Sequence, residues 1–317
     1  PLSSGYLLYS WLSRSLSGEV TLHSGGEAPA AFCLSALWPW EDGARPPRGE
    51  QIRSFAQGTR WGFRIAFARD EDGEAFVTSL EKRRGEEVRL GGHGVFRLQG
   101  LVPAREHPLV RRQSPDALVA DPGEELELRF LSPTGFKRQG RQYLLPEPKL
   151  VFGSLLGKWR TWVDPTVEDL EDLYPRVGIG SYDLKTQAVR LEQGGVWRGF
   201  VGSLRYDLRG LEEWERRILG LLGRFAFYVG VGYKTAQGLG QALCTTRGTS
   251  SSPGKGTLPG SGALQNQVFP RTRGPETVVR PQSPLIPETK ENHAPPGARS
   301  LLDVLDQIFQ DEHVIVL

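Results

Sequence analysis

Residues 230–240 read Gly-Val-Gly-Tyr-Lys-Thr-Ala-Gln-Gly-Leu-Gly, which is four glycines in eleven positions. Glycine lets the backbone turn sharply and approach a ligand closely. The side chains between the glycines suit a phosphodiester chain, because Lys234 can meet phosphates, Tyr233 can stack on a base, and Thr235 and Gln237 add polar groups. We predict that this loop, following a helix that ends near Phe225, binds such a chain. A glycine-rich connection without any ligand would have the same composition.

Two familiar nucleotide motifs do not match this loop. The phosphate-binding loop of P-loop enzymes needs glycine immediately before its lysine, where this chain has Tyr233. The dinucleotide fingerprint needs a third glycine at the position of Thr235, and it opens a helix, whereas this loop follows one. The sequence therefore argues against both nucleotide-binding folds.

A second basic stretch lies between Arg129 and Arg160. Seven of its side chains are basic and only Glu147 is acidic. The basic residues are Arg129, Lys137, Arg138, Arg141, Lys149, Lys158 and Arg160. Its centre, residues 132–148, has the proline and glycine content of a loop. We expect a local basic patch with Lys137, Arg138 and Arg141 at its centre, although a merely solvated face would show the same charges.

Composition limits the class of protein. The chain has 317 residues, 38% of them apolar, which is enough for two ordinary domains. Its formal charge is only +2, so any polyanion site must arise from local clustering. The two cysteines, Cys33 and Cys244, show no metal-binding spacing, which favours a reducing cytoplasm and argues against a structural metal. No apolar run approaches the roughly 18 residues of a membrane helix.

Hydrophobic periodicity predicts an α+β fold. Helices are expected at residues 2–16, 151–162 and 211–225, the last with Leu211, Trp214, Ile218, Leu222 and Phe225 on its buried face. Strands are expected at residues 60–68, 95–98, 124–130 and 196–208. Because helices and strands interleave in each half, we predict two α+β domains in tandem, residues 1–118 and 119–244.

The last 73 residues have a different composition. Residues 245–300 are rich in proline, glycine, serine and threonine, and we predict a disordered linker that is either a solvated tether or a weak polyanion contact. Residues 301–317 predict a short acidic amphipathic helix with Ser300 as its N-cap. This helix could dock on a partner or fold back on its own chain.

The chain has five histidines, and His23 is the one placed for chemistry by its surroundings. It lies in a glycine-containing loop, residues 21–26, between the first helix and an apolar segment. His93 and His107 stand beside glycine and proline in turns or loops, and His293 and His313 lie in the tail. From the residues alone, His23 is a weak candidate.

Together these segments resemble the CRISPR-associated endoribonucleases of the RAMP superfamily, which cut precursor CRISPR RNA within its repeats. Residues 230–240 are similar to that family's C-terminal glycine-rich signature. The other similar segments, in chain order, are Leu22-His23, Phe32-Cys-Leu-Ser35, Phe130-Leu-Ser-Pro-Thr-Gly-Phe, Leu145-Pro-Glu-Pro, Val151-Phe-Gly-Ser-Leu-Leu and Gly199-Phe-Val-Gly-Ser-Leu. Each piece is weak evidence, but their order and spacing across residues 1–244 are specific.

The resemblance implies two ferredoxin-like domains with RNA held between them, and cleavage without a metal ion or other cofactor. It implies that a 2′-hydroxyl attacks the adjacent phosphate and leaves a 2′,3′-cyclic phosphate and a 5′-hydroxyl. His23 becomes the leading catalytic residue, and Tyr9 on the first helix is a second candidate. The glycines and polar residues of the loop (Gly230, Gly232, Tyr233, Lys234, Thr235, Gln237, Gly238 and Gly240) become RNA-binding residues, together with Lys137, Arg138 and Arg141. The partners implied are CRISPR repeat RNA and, through the C-terminal helix, other CRISPR proteins, but no membrane.

The chain departs from the family in two places. Certain members carry a lysine soon after the histidine, but residues 24–37 contain neither lysine nor arginine. Charge stabilisation must then come from elsewhere, with Arg14, Arg45 and Arg48 as candidates. The family also begins with a strand before its first helix, so we expect the N-terminal sheet of residues 1–118 to lack that strand. A non-catalytic RAMP subunit that only holds guide RNA remains the alternative.

Overall fold

The computed structural model describes residues 3–17, 29–39, 55, 57–92, 94–101, 118–190 and 195–246. Its N-terminal half contains two helices, α1 (Ser4–Ser15) and α2 (Asp70–Glu81). The strands of this half are β1 (Phe32–Leu34), β2 (Trp38–Pro39), β3 (Trp61–Gly62), β4 (Ile65–Phe67), β5 (Glu87–Arg89) and β6 (Val95–Arg97). These strands are short and pair antiparallel in twos: β1 with β4, β2 with β3, and β5 with β6.

The C-terminal half contains longer elements. Its helices are α3 (Pro148–Trp162) and α4 (Glu213–Val229). Its strands are β7 (Glu125–Thr134), β8 (Phe136–Arg138), β9 (Arg141–Tyr143), β10 (Gly178–Arg190), β11 (Val196–Asp207) and β12 (Ala242–Thr246). Short 3₁₀ turns occur at Tyr174–Arg176 and Thr235–Gln237. Helices and strands alternate in both halves, so the predicted α+β class is confirmed.

A four-stranded antiparallel sheet organises the C-terminal half. The spatial order is β10, β11, β7, β12, so β7, the first of these strands in the chain, is central. Leu128 on β7 lies between Leu204 on β11 and Cys244 on β12. The strand–helix–strand–strand–helix–strand order places α3 and α4 on one face of this sheet.

Each half has its own hydrophobic cluster. In the C-terminal half, Leu126, Leu128 and Phe130 alternate inward along β7 and pack with residues of α3 and α4. The N-terminal cluster is built from α1, α2, β1 and β4. Strand β4 contributes to both clusters: Ile65 and Phe67 belong to the N-terminal one, whereas the intervening Ala66 belongs to the C-terminal one. Two-sided burial of β4 therefore joins the halves.

Three details differ from the sequence predictions. Residues 60–68 do not form one alternating strand, because the chain breaks between β3 and β4 and buries Arg64 at the break. Trp214, expected on the buried face of α4, is 48% exposed, whereas its neighbour Glu215 is buried and hydrogen-bonded to Arg176 in the first turn of the helix. Residues 132–148 are not simply a loop, since they hold the end of β7 and the hairpin β8–β9.

The two longest elements that the sequence did not predict are α2 and β10. Helix α2 has a weak apolar face and begins with three acidic residues, so its sequence is more typical of a solvated segment. Strand β10 runs along one edge of the large sheet and is exposed over most of its length, so it carries no apolar alternation. The predicted linker and C-terminal helix, residues 245–317, lie almost entirely outside the described residues.

Candidate nucleic-acid interface

The glycine-rich loop begins where α4 ends and owes its path to glycine. Gly232 has φ +76°, and a Cβ there would meet the carbonyl oxygen of Gly135 at 2.4 Å. At Gly240, with φ +70°, a Cβ would meet the carbonyl oxygen of Val231 at 2.2 Å. Glycine is therefore required at both positions by close packing against the protein's own backbone.

Several loop amides are already hydrogen-bonded within the protein. The Gly232 amide donates to Ser154 Oγ at 3.0 Å, the Tyr233 amide to the Gly135 carbonyl at 3.1 Å, and the Gly240 amide to the Pro133 carbonyl at 3.1 Å. These bonds tie the loop to β7 and α3. These three amides are therefore already satisfied by the protein, so the side chains of the loop are the groups to consider for binding.

The side chains of the loop divide into two groups. Tyr233 is 38% exposed, and Lys234 and Gln237 are half-buried and joined by a hydrogen bond of 3.0 Å from Lys234 Nζ to Gln237 Oε1. Lys234 has a left-handed backbone, φ +62°, that is rare for residues other than glycine. Thr235 is buried and faces inward. Gly238 is also buried, against the backbone of Gly5 in α1.

The hairpin β8–β9 meets the loop at Tyr233. Lys137 Nζ donates to the Tyr233 hydroxyl at 3.2 Å and lies 4.5 Å from the centre of its ring. On the other side, the ring of Trp197 lies 5.2 Å from that of Tyr233. Arg138 and Arg141 stand at the exposed turn of the same hairpin. Two segments about a hundred residues apart in sequence thus form one exposed surface with cations and an aromatic ring.

The remaining basic residues of the stretch do not join this surface. Lys149 forms an ion pair with Glu171, and Arg160 lies 3.5 Å from Asp169 and donates to the Val167 carbonyl. Arg129 lies on β7 within the large sheet. Lys158 is buried. The interpretation of residues 129–160 as one patch is therefore wrong, because β7 and α3 direct these side chains to different places, and only the hairpin cations lie beside the loop.

Two buried cations lie at the C-terminal end of α4. Lys158 Nζ donates to the carbonyls of Val229 and Gly230, both at 2.8 Å, and to Thr235 Oγ1 at 3.3 Å. Burial lowers the pKa of Lys158 to about 8. Arg64 donates to the Phe227 carbonyl, and its guanidinium lies 3.8 Å from the centre of the Phe227 ring.

Helix α1 contacts the loop from the N-terminal half. A Cβ on Gly5 would lie 2.5 Å from Gly238 Cα, and Ser3 Oγ donates to the Gln237 carbonyl at 3.4 Å. Tyr9 lies one helical turn beyond Gly5 on the same side of α1, with its ring 6.5 Å from that of Phe32. Burial raises the pKa of Tyr9, so its hydroxyl stays protonated at neutral pH.

The principal catalytic candidate, His23, lies outside the described residues, as do Arg45 and Arg48. Arg14 is described; its Nε donates to the Ser10 carbonyl within α1. Over the part of the chain that the structure describes, His, Cys, Asp and Glu side chains form no group of three that could hold a metal ion. Within the same ranges, no helix is long and apolar enough to cross a bilayer.

Sequence reasoning missed Trp197, Arg64 and Ser154. Trp197 lies in the predicted strand 196–208, and nothing in its sequence neighbourhood indicates that its ring meets that of Tyr233. Arg64 offered one signal, a cation within an otherwise apolar segment, because a buried charge must find partners. Ser154 gives no signal, since a serine in a helix most often points to solvent.

Known proteins resemble this chain over the described region. The family model for the CRISPR-associated endoribonuclease Cas6 matches residues 128–242. A Cas6 endoribonuclease of Streptococcus thermophilus is 33% identical over 115 residues, which are 35% of this chain and 46% of that protein. One from Mycobacterium tuberculosis is 29% identical over 119 residues, 37% of each chain. The matched segment thus spans less than half the length of these curated relatives.

Solved structures match over a longer part of the chain. A Cas6 product complex is 29% identical with a TM-score of 0.61, covering 78% of this chain and 94% of the other. A second Cas6 product complex is 27% identical with the same TM-score, covering 77% and 95%. A Cas6 of Thermus thermophilus is 25% identical with a TM-score of 0.54, covering 76% and 90%.

Proposed function

Since this chain belongs to the CRISPR-associated Cas6 family of RAMP-fold proteins, we propose that it is an endoribonuclease that binds CRISPR repeat RNA, cuts it and retains the product. Residues 128–242, where the family model matches, contain the hairpin β8–β9 and the whole glycine-rich loop. Related structures are complexes of Cas6 with product.

The observation that carries the proposal is the contact between Lys137 and Tyr233. Lys137 and Lys234 lie 4.5 Å and 5.6 Å from the centre of this exposed ring, and the contact joins the hairpin that carries Arg138 and Arg141 to the loop. Cations beside an exposed aromatic ring suit single-stranded RNA, because the charges can meet phosphates while the ring packs against a base.

The cleavage chemistry that we propose needs no metal ion. The 2′-hydroxyl loses its proton to a base, its oxygen bonds to the neighbouring phosphorus, and the bond from phosphorus to the 5′-oxygen breaks as an acid protonates that oxygen. A histidine serves in either proton role near neutrality. A tyrosine hydroxyl is protonated at neutral pH, and burial raises the pKa of Tyr9 further, so we assign Tyr9 to donate a proton to the leaving oxygen and His23 to act as the base.

We further propose that the chain is built from two ferredoxin-like domains, residues 1–118 and 119–244. The order β7, α3, β10, β11, α4, β12 with β7 in the sheet centre supports this for the second domain. In the first, helices and paired strands follow in the same order, beginning at α1. The acidic segment 301–317 is proposed to recruit another CRISPR protein.

The alternative is a RAMP subunit that holds guide RNA without cutting it. It is favoured by the absence of lysine and arginine from residues 24–37, since the transition state needs positive charge near the phosphate. The two functions share an RNA surface and differ only in cleavage.

A cleavage assay on the repeat RNA, with EDTA present, tests the proposal. We expect the parent protein to cut once, leaving a 2′,3′-cyclic phosphate, and a 2′-deoxy substitution at the cut site to abolish cutting. His23→Ala is expected to slow cutting by about 10²–10⁴-fold while binding is kept, and His107→Ala is the matched control. Cutting by His23→Ala at the parental rate would refute the assignment of His23. Tight binding without cutting by the parent would support the alternative.

A further inference from the structure

The C-terminal end of α4 has carbonyl groups that no following helical turn can satisfy. The Ala226 carbonyl still accepts the Gly230 amide at 2.9 Å, and after it the helix stops. Four carbonyls at such an end lack helical partners, and leaving them buried without donors is costly. Here side chains from elsewhere in the chain supply donors for three of them.

Lys158 and Arg64 are those donors. Lys158, on the second-last turn of α3, binds the carbonyls of Val229 and Gly230, and Arg64 from the N-terminal half binds that of Phe227. Both cations also lie where the helix dipole favours positive charge. Their relative exposures are 4% and 5%, so water competes little for these bonds.

Lys158 also reaches into the loop itself. Besides the carbonyl of Gly230, the first residue of the loop, Lys158 Nζ binds Oγ1 of Thr235, which lies in the 3₁₀ turn of the same loop. Tyr233 and Lys234 lie between the two points that Lys158 holds. A single ammonium group therefore binds both ends of the segment that carries the exposed Tyr233 and the half-buried Lys234.

We propose that Lys158 and Arg64 are positioning residues, whose cations hold the end of α4 and fix the glycine-rich loop in the conformation that presents Tyr233 and Lys234 to RNA. The consequence for RNA rests on the proposed function, whereas the effect on the loop does not. Arg64 makes the loop sensitive to the N-terminal half, because it comes from the chain just before β4. We call the bonds of Lys158 and Arg64 to the end of α4, with that of Lys158 to Thr235, the clamp. The role of Lys158 in the clamp needs no contact with RNA.

Charge at Lys158 gives the clamp a pH signature. Burial lowers the pKa of Lys158 to about 8. Its titratable neighbour is Cys33 on β1. Burial raises the pKa of the Cys33 thiol, and the charges of Arg64 and Lys158 offset only part of that rise. A neutral amine has only two N–H donors for three acceptors, so the clamp weakens above pH 8. Overall stability should not fall with it. Between pH 8 and 10.5 the unfolded chain keeps the proton longer than the folded one, so this group makes unfolding less favourable as pH rises.

Hydrogen exchange of residues 230–241, measured without RNA, tests the clamp directly. Lys158→Met keeps the length of the side chain and removes its charge, and Lys149→Met makes the same change at an exposed position of the same helix. We expect exchange in the loop to accelerate about tenfold or more in Lys158→Met alone, since hydrogen bonds to a charged group are lost. Equal exchange in the two folded variants would overturn the proposal.

RNA affinity measured at pH 7 and pH 9 is a second test. If Lys158 only stabilised the fold, its substitution would not change how affinity depends on pH. The parent and Lys149→Met should lose affinity across this interval, whereas Lys158→Met should be about tenfold weaker at pH 7 and nearly flat. A parallel pH profile in all three would also overturn the proposal. If the parent binds no RNA at any pH, the proposed function fails while the exchange experiment still decides the clamp.

Should Lys158→Met fail to fold, Thr235→Val and Thr235→Ser form a second pair. Valine has the shape of threonine without the oxygen that accepts from Lys158, and serine keeps that oxygen. Faster loop exchange is expected in the valine variant only. Faster exchange in both variants, or in neither, would contradict the clamp.

Discussion

At the scale of single residues, Tyr233 is where the two basic segments meet. Its backbone amide is bound by Gly135, its hydroxyl by Lys137, and its ring by Trp197. Tyr233 is therefore oriented by three neighbours while 38% of its surface stays exposed. Lys234 beside it is held by Gln237 and adds charge within 5.6 Å of the ring centre. The sequence singled out both residues, together with Lys137 and Gln237, but not the contacts that orient them.

Lys234→Ala is expected to weaken RNA binding more than it slows the cutting of bound RNA. The charge lies on the binding surface, so its loss should cost about 1 kcal/mol of binding free energy, or several-fold in Kd. The measurements are equilibrium binding and single-turnover cleavage at saturating protein. Lys82→Ala, an exposed lysine at the end of α2, is the control. Unchanged affinity in Lys234→Ala would remove that residue from the binding surface.

At the scale of elements, the loop is set by the pieces that pack around it. Helix α1 approaches it so closely at Gly5 and Gly238 that neither position has room for a side chain. Strand β7 and helix α3 bind its amides. Close contacts within the chain therefore explain why these positions are glycine. From the sequence, the same glycines were expected to allow the close approach of a ligand. Composition alone could not distinguish a backbone that approaches RNA from one that approaches another helix.

Two glycine-to-alanine changes in helices test this contact. Gly5→Ala should destabilise the protein by about 1–3 kcal/mol, because its Cβ would overlap Gly238. Gly157→Ala on α3 meets nothing within 4 Å and should stabilise it by about 0.5–1 kcal/mol, since alanine favours helix. Urea unfolding gives both values. Equal effects with the same sign would show that α1 does not pack on the loop as described.

At the scale of the whole molecule, a near-neutral chain carries a local basic surface. Net charge is only +2, so long-range attraction to RNA is weak and affinity depends on individual phosphate contacts. The halves are joined by two-sided burial of β4, by Arg64 on Phe227, and by Trp162 Nε1 donating to the Pro29 carbonyl at 3.0 Å. A fixed arrangement of the halves is what allows α1, and Tyr9 on it, to lie near the loop.

Salt should reveal how many charges engage RNA. If Lys137, Arg138, Arg141 and Lys234 each neutralise one phosphate, log affinity against log salt concentration should have a slope of about −3 for single-stranded RNA. Lys137→Ala should make that slope shallower by about 0.7. Fluorescence anisotropy between low and high salt measures both. A slope near zero in the parent would mean that these four cations do not bind phosphates.

The sequence by itself determined the α+β class, the inward alternation of β7, the extents of three helices within a few residues, and the two segments that form the candidate surface. These follow from local periodicity, which each segment carries alone. Only the tertiary structure decided that Lys137 reaches Tyr233, that Lys158 turns inward while Arg138 stands in solvent, and that the loop amides bind the protein. These contacts depend on which segments meet although they are far apart in sequence. The sequence around a lysine does not show whether its helix places the side chain in water or against the end of another helix.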